Sequence, residues 1–147
     1  MDIIDEKILE ALTANGRATT SEIGRQVNLS VPAVAERIRK LQDAGVIEGY
    51  AARIRRSKSR YRLLAFVSVR LAEPAAIAPF HEAMAQHPAV LECHHIAGAF
   101  DYLLKVQAAD TDGLEEFLSR DLKGLAGVAA SNTMVVLSTA KDRPVRY

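Results

Sequence analysis

The residues best suited to holding a metal stand in a row at Cys93, His94 and His95. Thiolate and imidazole are the usual zinc ligands. Their spacing works against that chemistry. The surrounding pattern predicts a strand over residues 90–97, and a strand turns alternate side chains to opposite faces. Cys93 and His95 then share a face without His94, and a closed site usually takes four ligands. Spacing sets no partner for His81 or His87, so no metal is expected. A second candidate is Asp101, which ends the sequence Gly98-Ala99-Phe100-Asp101. Paired carboxylates can divide acid and base roles, but the sequence places no second carboxylate beside it. The segment reads as a turn or a ligand-contacting loop, with Gly98 suited to a tight bend. No phosphate-cradling glycine loop and no nucleophile motif occurs. These readings give no catalytic residue, no cofactor and no enzyme.

A third group of residues carries charge in a pattern that suits a polyanion. At about 100° per residue, Val34, Ile38 and Leu41 form one stripe of a helix over residues 31–44, with Val31 at its edge. The opposite side holds Pro32, Ala33, Glu36, Arg39 and Lys40, with Arg37 on the flank. The major groove of DNA admits one helix. Small residues at Pro32 and Ala33 permit close approach to base edges. Arg39 and Lys40 can reach guanines or phosphates, and Glu36 can accept from cytosine. Arg17, and Ser21 at the start of the preceding helix, lie where phosphate contacts are expected. A solvated helical bundle would carry the same charges. The helix lengths and the capped turn before the third helix decide for a DNA reader.

Three short helices must position that face. Ile4, Ile8, Leu9 and Leu12 predict a first helix, capped by Asp2 and stopped at Asn15-Gly16. Thr19 with Glu22 is a capping-box pattern for a short second helix that closes at Asn28. Ser30 caps the third. This is the helix-turn-helix layout. Val46-Ile47 and Tyr50–Ile54 read as two short strands around Glu48-Gly49, giving a winged-helix-like unit. Residues 53–62 then hold six Lys or Arg. That run either tracks phosphates or is a solvated connector.

The remainder alternates strand and helix patterns. Strands are predicted at 63–71, 90–97, 102–108 and 128–138. One helix begins near Pro79 and ends near Gln86. Another, capped by Asp110 or Thr111, carries Leu114, Phe117, Leu118 and Leu122. The order βαββαβ is ferredoxin-like. The expected fold class is therefore α+β: a helix-turn-helix domain over 1–52, a basic linker over 53–62, and a ferredoxin-like ligand-binding and oligomerisation domain over 63–147.

Charge divides the same way. Residues 1–62 hold 12 Lys/Arg and 8 Asp/Glu, a formal +4; residues 63–147 hold 7 and 10, a formal −3. Only the front half is then suited to meet a polyanion. No apolar run approaches the roughly 20 residues needed to span a bilayer. The opening Met1–Glu6 segment is acidic where a signal peptide is basic. A single cysteine cannot form an internal disulfide. A cytoplasmic protein with no membrane partner is expected.

The pieces together resemble the Lrp/AsnC family, the feast/famine regulators. Asp2-Ile3-Ile4-Asp5 with Ile8-Leu9 resembles the family's opening helix, and Gly16-Arg17 its next turn. Leu29-Ser30, Val34, Arg37-Ile38, Leu41 and Gly45-Val46-Ile47 resemble its recognition helix and exit. Glu92-Cys93-His94, followed by Gly98 through Lys105, resembles its effector-domain hairpin. The resemblance spans nearly the whole chain. It implies a sequence-specific regulator of transcription that binds double-stranded DNA. It also implies a homodimer built through the C-terminal sheets, assembling into tetramers or octamers. The implied effector is an amino acid or a related small molecule, held between subunits near Gly98, Ala99, Phe100 and Asp101, with Thr133 and Val135 of the last strand lining the region. Ala99 stands where the family often has an acidic or polar residue, and the linker is more basic than expected. Some proteins of the same architecture are tetrapyrrole (siroheme-type) decarboxylases, which lack a working DNA reader. The hairpin and the intact 30–44 helix argue against that alternative. A third reading, a pure assembly or regulatory subunit that binds a partner protein, predicts no salt-dependent DNA binding and a silent loss of Arg39.

Overall fold

The computed structural model describes residues 1–142. Contacts divide the chain into two compact units. One is Met1–Arg53 with Lys141 and Asp142; the other is Ile54–Ala140. The expected second domain was drawn to residue 147, and residues 143–147 lie outside the described part.

The first unit is three helices: α1 (Ile3–Ala14), α2 (Thr20–Val27) and α3 (Val31–Asp43). Each begins where its sequence supplies an oxygen for orphan backbone donors. Asp2 caps α1 by accepting from the Ile4 and Asp5 N–H groups, and Asp5 reaches back to the Asp2 N–H at 3.0 Å. Thr19 and Glu22 form the same reciprocal box on α2. The apolar stripes converge on a core of Ile8, Leu9, Ile23, Val34 and Leu41. Arg37 of α3 ties the start of α1 to this bundle. Its Nη1 donates to Asp2 Oδ2 at 2.9 Å and to Asp5 Oδ1 at 2.7 Å.

The two strands expected at residues 46–47 and 50–54 are not formed; residues 48–55 are neither helix nor strand. The reason lies in how α3 ends. Gly45 takes a left-handed φ of +69°, and the Val46 and Ile47 N–H groups both donate to the Leu41 carbonyl, at 2.9 and 3.1 Å. Those donors close the helix and are lost to a ladder. Residues 56–58 form a single 3₁₀ turn inside the basic segment.

The second unit is a four-stranded antiparallel sheet in the order β2-β3-β1-β4. Its strands are β1 (Leu63–Leu71), β2 (Val90–His95), β3 (Tyr102–Ala108) and β4 (Val128–Val135). Helix α4 (Ile77–Gln86) and helix α5 (Thr111–Glu116) supply the crossovers. Alternation decides the core. Ala65, Val67 and Val69 of β1 and Tyr102, Leu104 and Val106 of β3 pack with Phe80, Met84, Phe117 and Leu122 from the helical segments.

Several boundaries differ from expectation; strand β2, for one, stops at His95 rather than Ala97. Helix α4 starts at Ile77, so Pro79 is its third residue. A missing N–H is harmless there, because first-turn donors have no partner within the helix. Strand β4 stops at Val135 rather than Ser138. Val135 already faces Ala65 near the start of β1, and Val136 makes one last bond to the Leu64 carbonyl. Beyond α5, residues Phe117–Leu122 wind more widely; the Lys123 N–H reaches the Leu118 carbonyl, five residues back, at 3.1 Å.

The Arg37 clamp carries a pH signature. The Asp5 N–H holds the Asp2 carboxyl below its ordinary range, and the Asp2 N–H does the same for Asp5; Arg37 lowers both further. Depressed carboxyls add stability that is present above the unfolded-state value, near ~3.9, and is lost as pH falls through the folded-state values. Arg37→Gln should therefore lower the melting temperature at neutral pH. The gap to the parent protein should close as pH drops below about 4. Thermal melts followed by circular dichroism across pH 2–7 check this, and a gap independent of pH would exclude the ionic clamp.

Candidate functional site: an exposed helix face and a strand turn

Helix α3 presents its outer face because its other face is buried. Val34 is fully buried and Leu41 nearly so, while Pro32, Glu36, Arg39 and Lys40 are exposed. Ala33 and Arg37 are half-buried; Arg17, Ser21 and Ser30 are exposed. Ser30 Oγ accepts from the Ala33 N–H at 3.4 Å, and Pro32 sits in the first turn of α3. The turn that aims this helix rests on a residue the sequence reading passed over. Asn28 is left-handed at φ 58°, and the Leu29 N–H donates to the Gly24 carbonyl at 2.9 Å. A Cβ on Gly24 would stand 2.6 Å from the Leu29 carbonyl oxygen. Only glycine allows that approach. A glycine in the middle of a short, amphipathic helix was the available signal.

The structure gathers part of the expected group and sets part aside. Arg37 pairs through Nη1 with Asp2 and Asp5, which ties α3 to the start of α1. Arg17 and Ser21 lie outside α3, and the hydrogen bonds at them are local. The Arg17 N–H donates to Asn15 Oδ1, and the Ser21 carbonyl accepts from Arg25 Nε. Glu36, Arg39 and Lys40 do come together, with Asp43 as a fourth member that sequence reasoning missed. Arg39 grips Glu36 through Nε at 3.0 Å and Nη2 at 2.7 Å, and Asp43 through Nη1 at 2.7 Å. Lys40 Nζ lies 3.7 Å from Glu36. The Arg39 hydrogen bonds hold the Glu36 carboxyl below the usual carboxylate range. The four charges cancel. Exposed pairs of this kind are weak, so a phosphate or a base edge can replace them.

The second candidate region is the turn between β2 and β3. Gly98 has a φ of +148°; Ala99 is exposed and Phe100 half-buried. Asp101 fastens the turn to the end of β1. Its N–H donates to the Val69 carbonyl at 3.0 Å, and its Oδ2 accepts from the Leu71 N–H at 2.8 Å. The β1–β4 register shifts between Arg70 and Leu71, beside this carboxylate. Thr133 and Val135 do not join the turn within one chain. They face Val67 and Ala65, two and four residues back along β1 from Val69. At about 3.3 Å per residue that is roughly 7 and 13 Å of strand. The register also separates the residues of the would-be metal cluster. Cys93 and His95 face Leu104 and Tyr102, and Glu92 and His94 face Lys105 and Leu103. His95 stacks on the Tyr102 ring at 5.0 Å, while Lys105 and His94 both bond to Glu92.

Two family models match this chain. Residues 1–48 match a winged helix-turn-helix DNA-binding domain, and residues 64–146 match the Lrp/AsnC ligand-binding domain. The chain belongs to the Lrp/AsnC family. Its members are DNA-binding transcriptional regulators, and the chain is one by fold and by relationship. It is 38% identical over 144 residues to the HTH-type transcriptional regulator YezC of Bacillus subtilis, covering 98% of this chain and 99% of that one. It is 34% identical over 144 residues to the leucine-responsive regulatory protein of Escherichia coli, covering 97% and 88%. The crystal structure of the transcriptional regulator NMB0573 in complex with L-Met, from Neisseria meningitidis, superposes with a TM-score of 0.91. That pair is 31% identical, with 97% and 94% of the two chains covered. The tetrapyrrole-decarboxylase alternative finds no support in these relatives. In this Lrp/AsnC chain, α1–α3 form the helix-turn-helix and β1–β4 with α4 and α5 the ligand-binding fold. No described helix is long and apolar enough to cross a membrane.

Two outcomes follow from the geometry. Asp43→Asn should strengthen DNA binding about two- to fivefold by loosening Arg39, and should have no such effect in an Arg39→Ala background. Anisotropy titrations of the four proteins in this cycle measure the coupling; equal effects in both backgrounds would reduce Asp43 to a bulk charge. Asp101→Ala should destabilise the protein by about 1–2 kcal/mol, because it strands the Leu71 N–H. Asp101→Asn, which keeps an acceptor, should cost less. Urea unfolding followed by circular dichroism reads both.

Proposed function

We propose that this Lrp/AsnC regulator reads a specific operator in double-stranded DNA with the outer face of α3, and that an amino acid bound at the C-terminal unit tunes the binding. The observation that carries the reading is the pairing of a glycine-tight turn with a helix whose exposed side carries small and charged residues from Pro32 to Lys40. Pro32 and Ala33 leave room for base edges. Arg39 serves guanine and Glu36 cytosine, once their mutual bonds are exchanged for bonds to DNA. Lys40, Arg17, Ser21 and Ser30 contact phosphates. Arg37 positions the helix by holding α1.

The effector reading rests on two supports. The L-Met complex of the 31% identical Neisseria regulator shows that a protein of this fold takes an amino acid. The Gly98–Asp101 turn offers backbone N–H groups for a carboxylate and one remaining Asp101 oxygen for an ammonium group. Thr133 and Val135 lie too far along the sheet to complete that site within one chain, so a second subunit supplies them. The sheet face turned away from the helical core carries Phe66, Leu103 and Met134 among Ser68, Lys105 and Glu92, a mixed apolar and charged surface on which we place a homodimer contact. Tetramers or octamers built from such dimers are the further assembly we propose. The protein acts in the cytoplasm, where its DNA lies. A two-fold dimer reads two half-sites about 10 base pairs, or a multiple, apart.

Fluorescence anisotropy with DNA from upstream of the protein's own gene, against scrambled DNA, tests the reading. Arg39→Ala should weaken binding to the cognate DNA roughly tenfold or more while leaving the dimer intact in sedimentation. A silent Arg39→Ala, or a dimer broken by it, would make this face an interface of another kind. A panel of amino acids added to the same assay should change affinity, and Asp101→Ala should abolish that response.

A further inference from the structure

We infer that the basic segment Arg53–Arg62 is a second DNA-contacting surface, one that binds phosphates without regard to sequence and supplies most of the electrostatic attraction to DNA. The inference rests on the DNA-binding reading of α3 and adds to it. Charge bookkeeping makes the case. Residues 1–52 hold 6 Lys/Arg and 8 Asp/Glu, a formal −2. The helix-turn-helix unit without the segment is therefore repelled, on balance, by a polyanion. Residues 53–62 hold 6 Lys/Arg and no acid, a formal +6. No Asp or Glu occurs anywhere between Glu48 and Glu73.

Pairing sharpens the contrast. On α3 the cations are answered: Arg37 by Asp2 and Asp5, Arg39 by Glu36 and Asp43, Lys40 by Glu36. In the segment, Arg53 meets Asp142, and Arg60 lies over the Tyr61 ring at 4.7 Å. Arg55, Arg56, Lys58 and Arg62 have no carboxylate partner among the described residues. The backbone concentrates them. The Lys58 N–H donates to the Arg55 carbonyl at 2.8 Å and the Ser59 N–H to that of Arg56 at 2.9 Å. The turn holds Arg55, Arg56 and Lys58 within four consecutive residues, and like charges this close along the chain repel until an anion lies between them. Reach is sufficient by covalent geometry alone. Twelve residues separate Asp43 from Arg55, at most about 40 Å of chain, and one DNA turn is about 34 Å. The cations can meet phosphates within a turn of the half-site that α3 reads. Phosphate contact releases counterions, and that release sets the salt dependence of binding.

The test compares the full-length parent with a quadruple variant, Arg55→Gln, Arg56→Gln, Lys58→Gln and Arg60→Gln, and with the double variant Arg55→Gln, Lys58→Gln at two exposed positions. Arg120→Gln with Lys123→Gln removes the same charge as the double variant from exposed positions of the second unit, as a control. Binding to cognate and scrambled duplexes is titrated across salt concentration. The log–log slope should shrink by up to about 1.8 for the double variant and 3.6 for the quadruple. Both duplexes should lose affinity by the same factor, so that sequence preference is kept. A slope unchanged from the parent, or a change in the double variant no larger than in the Arg120/Lys123 control, overturns the assignment. Failure of the parent to bind DNA in a salt-dependent way overturns the α3 reading with it. Loss of binding in Arg39→Ala alongside an unchanged slope in the double variant sinks the segment's role alone.

Discussion

The close approach of α2 to the chain leading into α3 is the constraint on which the DNA-facing half depends. Gly24 lies against the Leu29 carbonyl where no side chain fits. Asn28 in the left-handed region then reverses the chain, and Ser30 restarts it as a helix. Val34 and Leu41 bury one stripe of that helix against Ile8, Leu9 and Ile23. What remains outward is a face of small and charged residues. Its direction is set by the turn, and its rigidity by the core behind it.

Electrostatics within that half follow a division of labour. The cations of α3 are matched by carboxylates on α3 itself and on α1, so the helix carries little net attraction of its own. That arrangement suits a reader: Arg39 leaves Glu36 and Asp43 only for a partner that replaces three hydrogen bonds with good geometry. In the segment that follows, Arg53 meets Asp142, while Arg55, Arg56, Lys58 and Arg62 have no carboxylate partner among the described residues.

In the C-terminal unit, Asp101 does structural work at the place a ligand would be met. Its N–H and carboxylate hold the β2–β3 turn to the end of β1, just where the β4 pairing slips by a residue. A group that contacted Asp101 would bear on that junction, and so on the edge where β4 begins.

The elements themselves were legible in the chain. Caps at Asp2, Thr19 and Ser30, the stripe of Val34, Ile38 and Leu41, and the alternation of Ala65, Val67 and Val69 are local patterns, and local physics reads them. The α+β order and the outward face of α3 follow from periodicity alone. Four things did not. The wing strands failed because the Val46 and Ile47 donors went to the Leu41 carbonyl, a competition between partners that no residue pattern records. Arg37 was assigned by its angle on the helix, yet its partners lie thirty-odd residues away on α1. Gly24 matters only because Leu29 comes against it. How far Thr133 and Val135 lie from the turn along one chain is set by strand register, which is fixed by pairing across β1. Sequence determines what a segment can be. Which donors find which acceptors, and which charges meet, is decided only when distant segments are packed together.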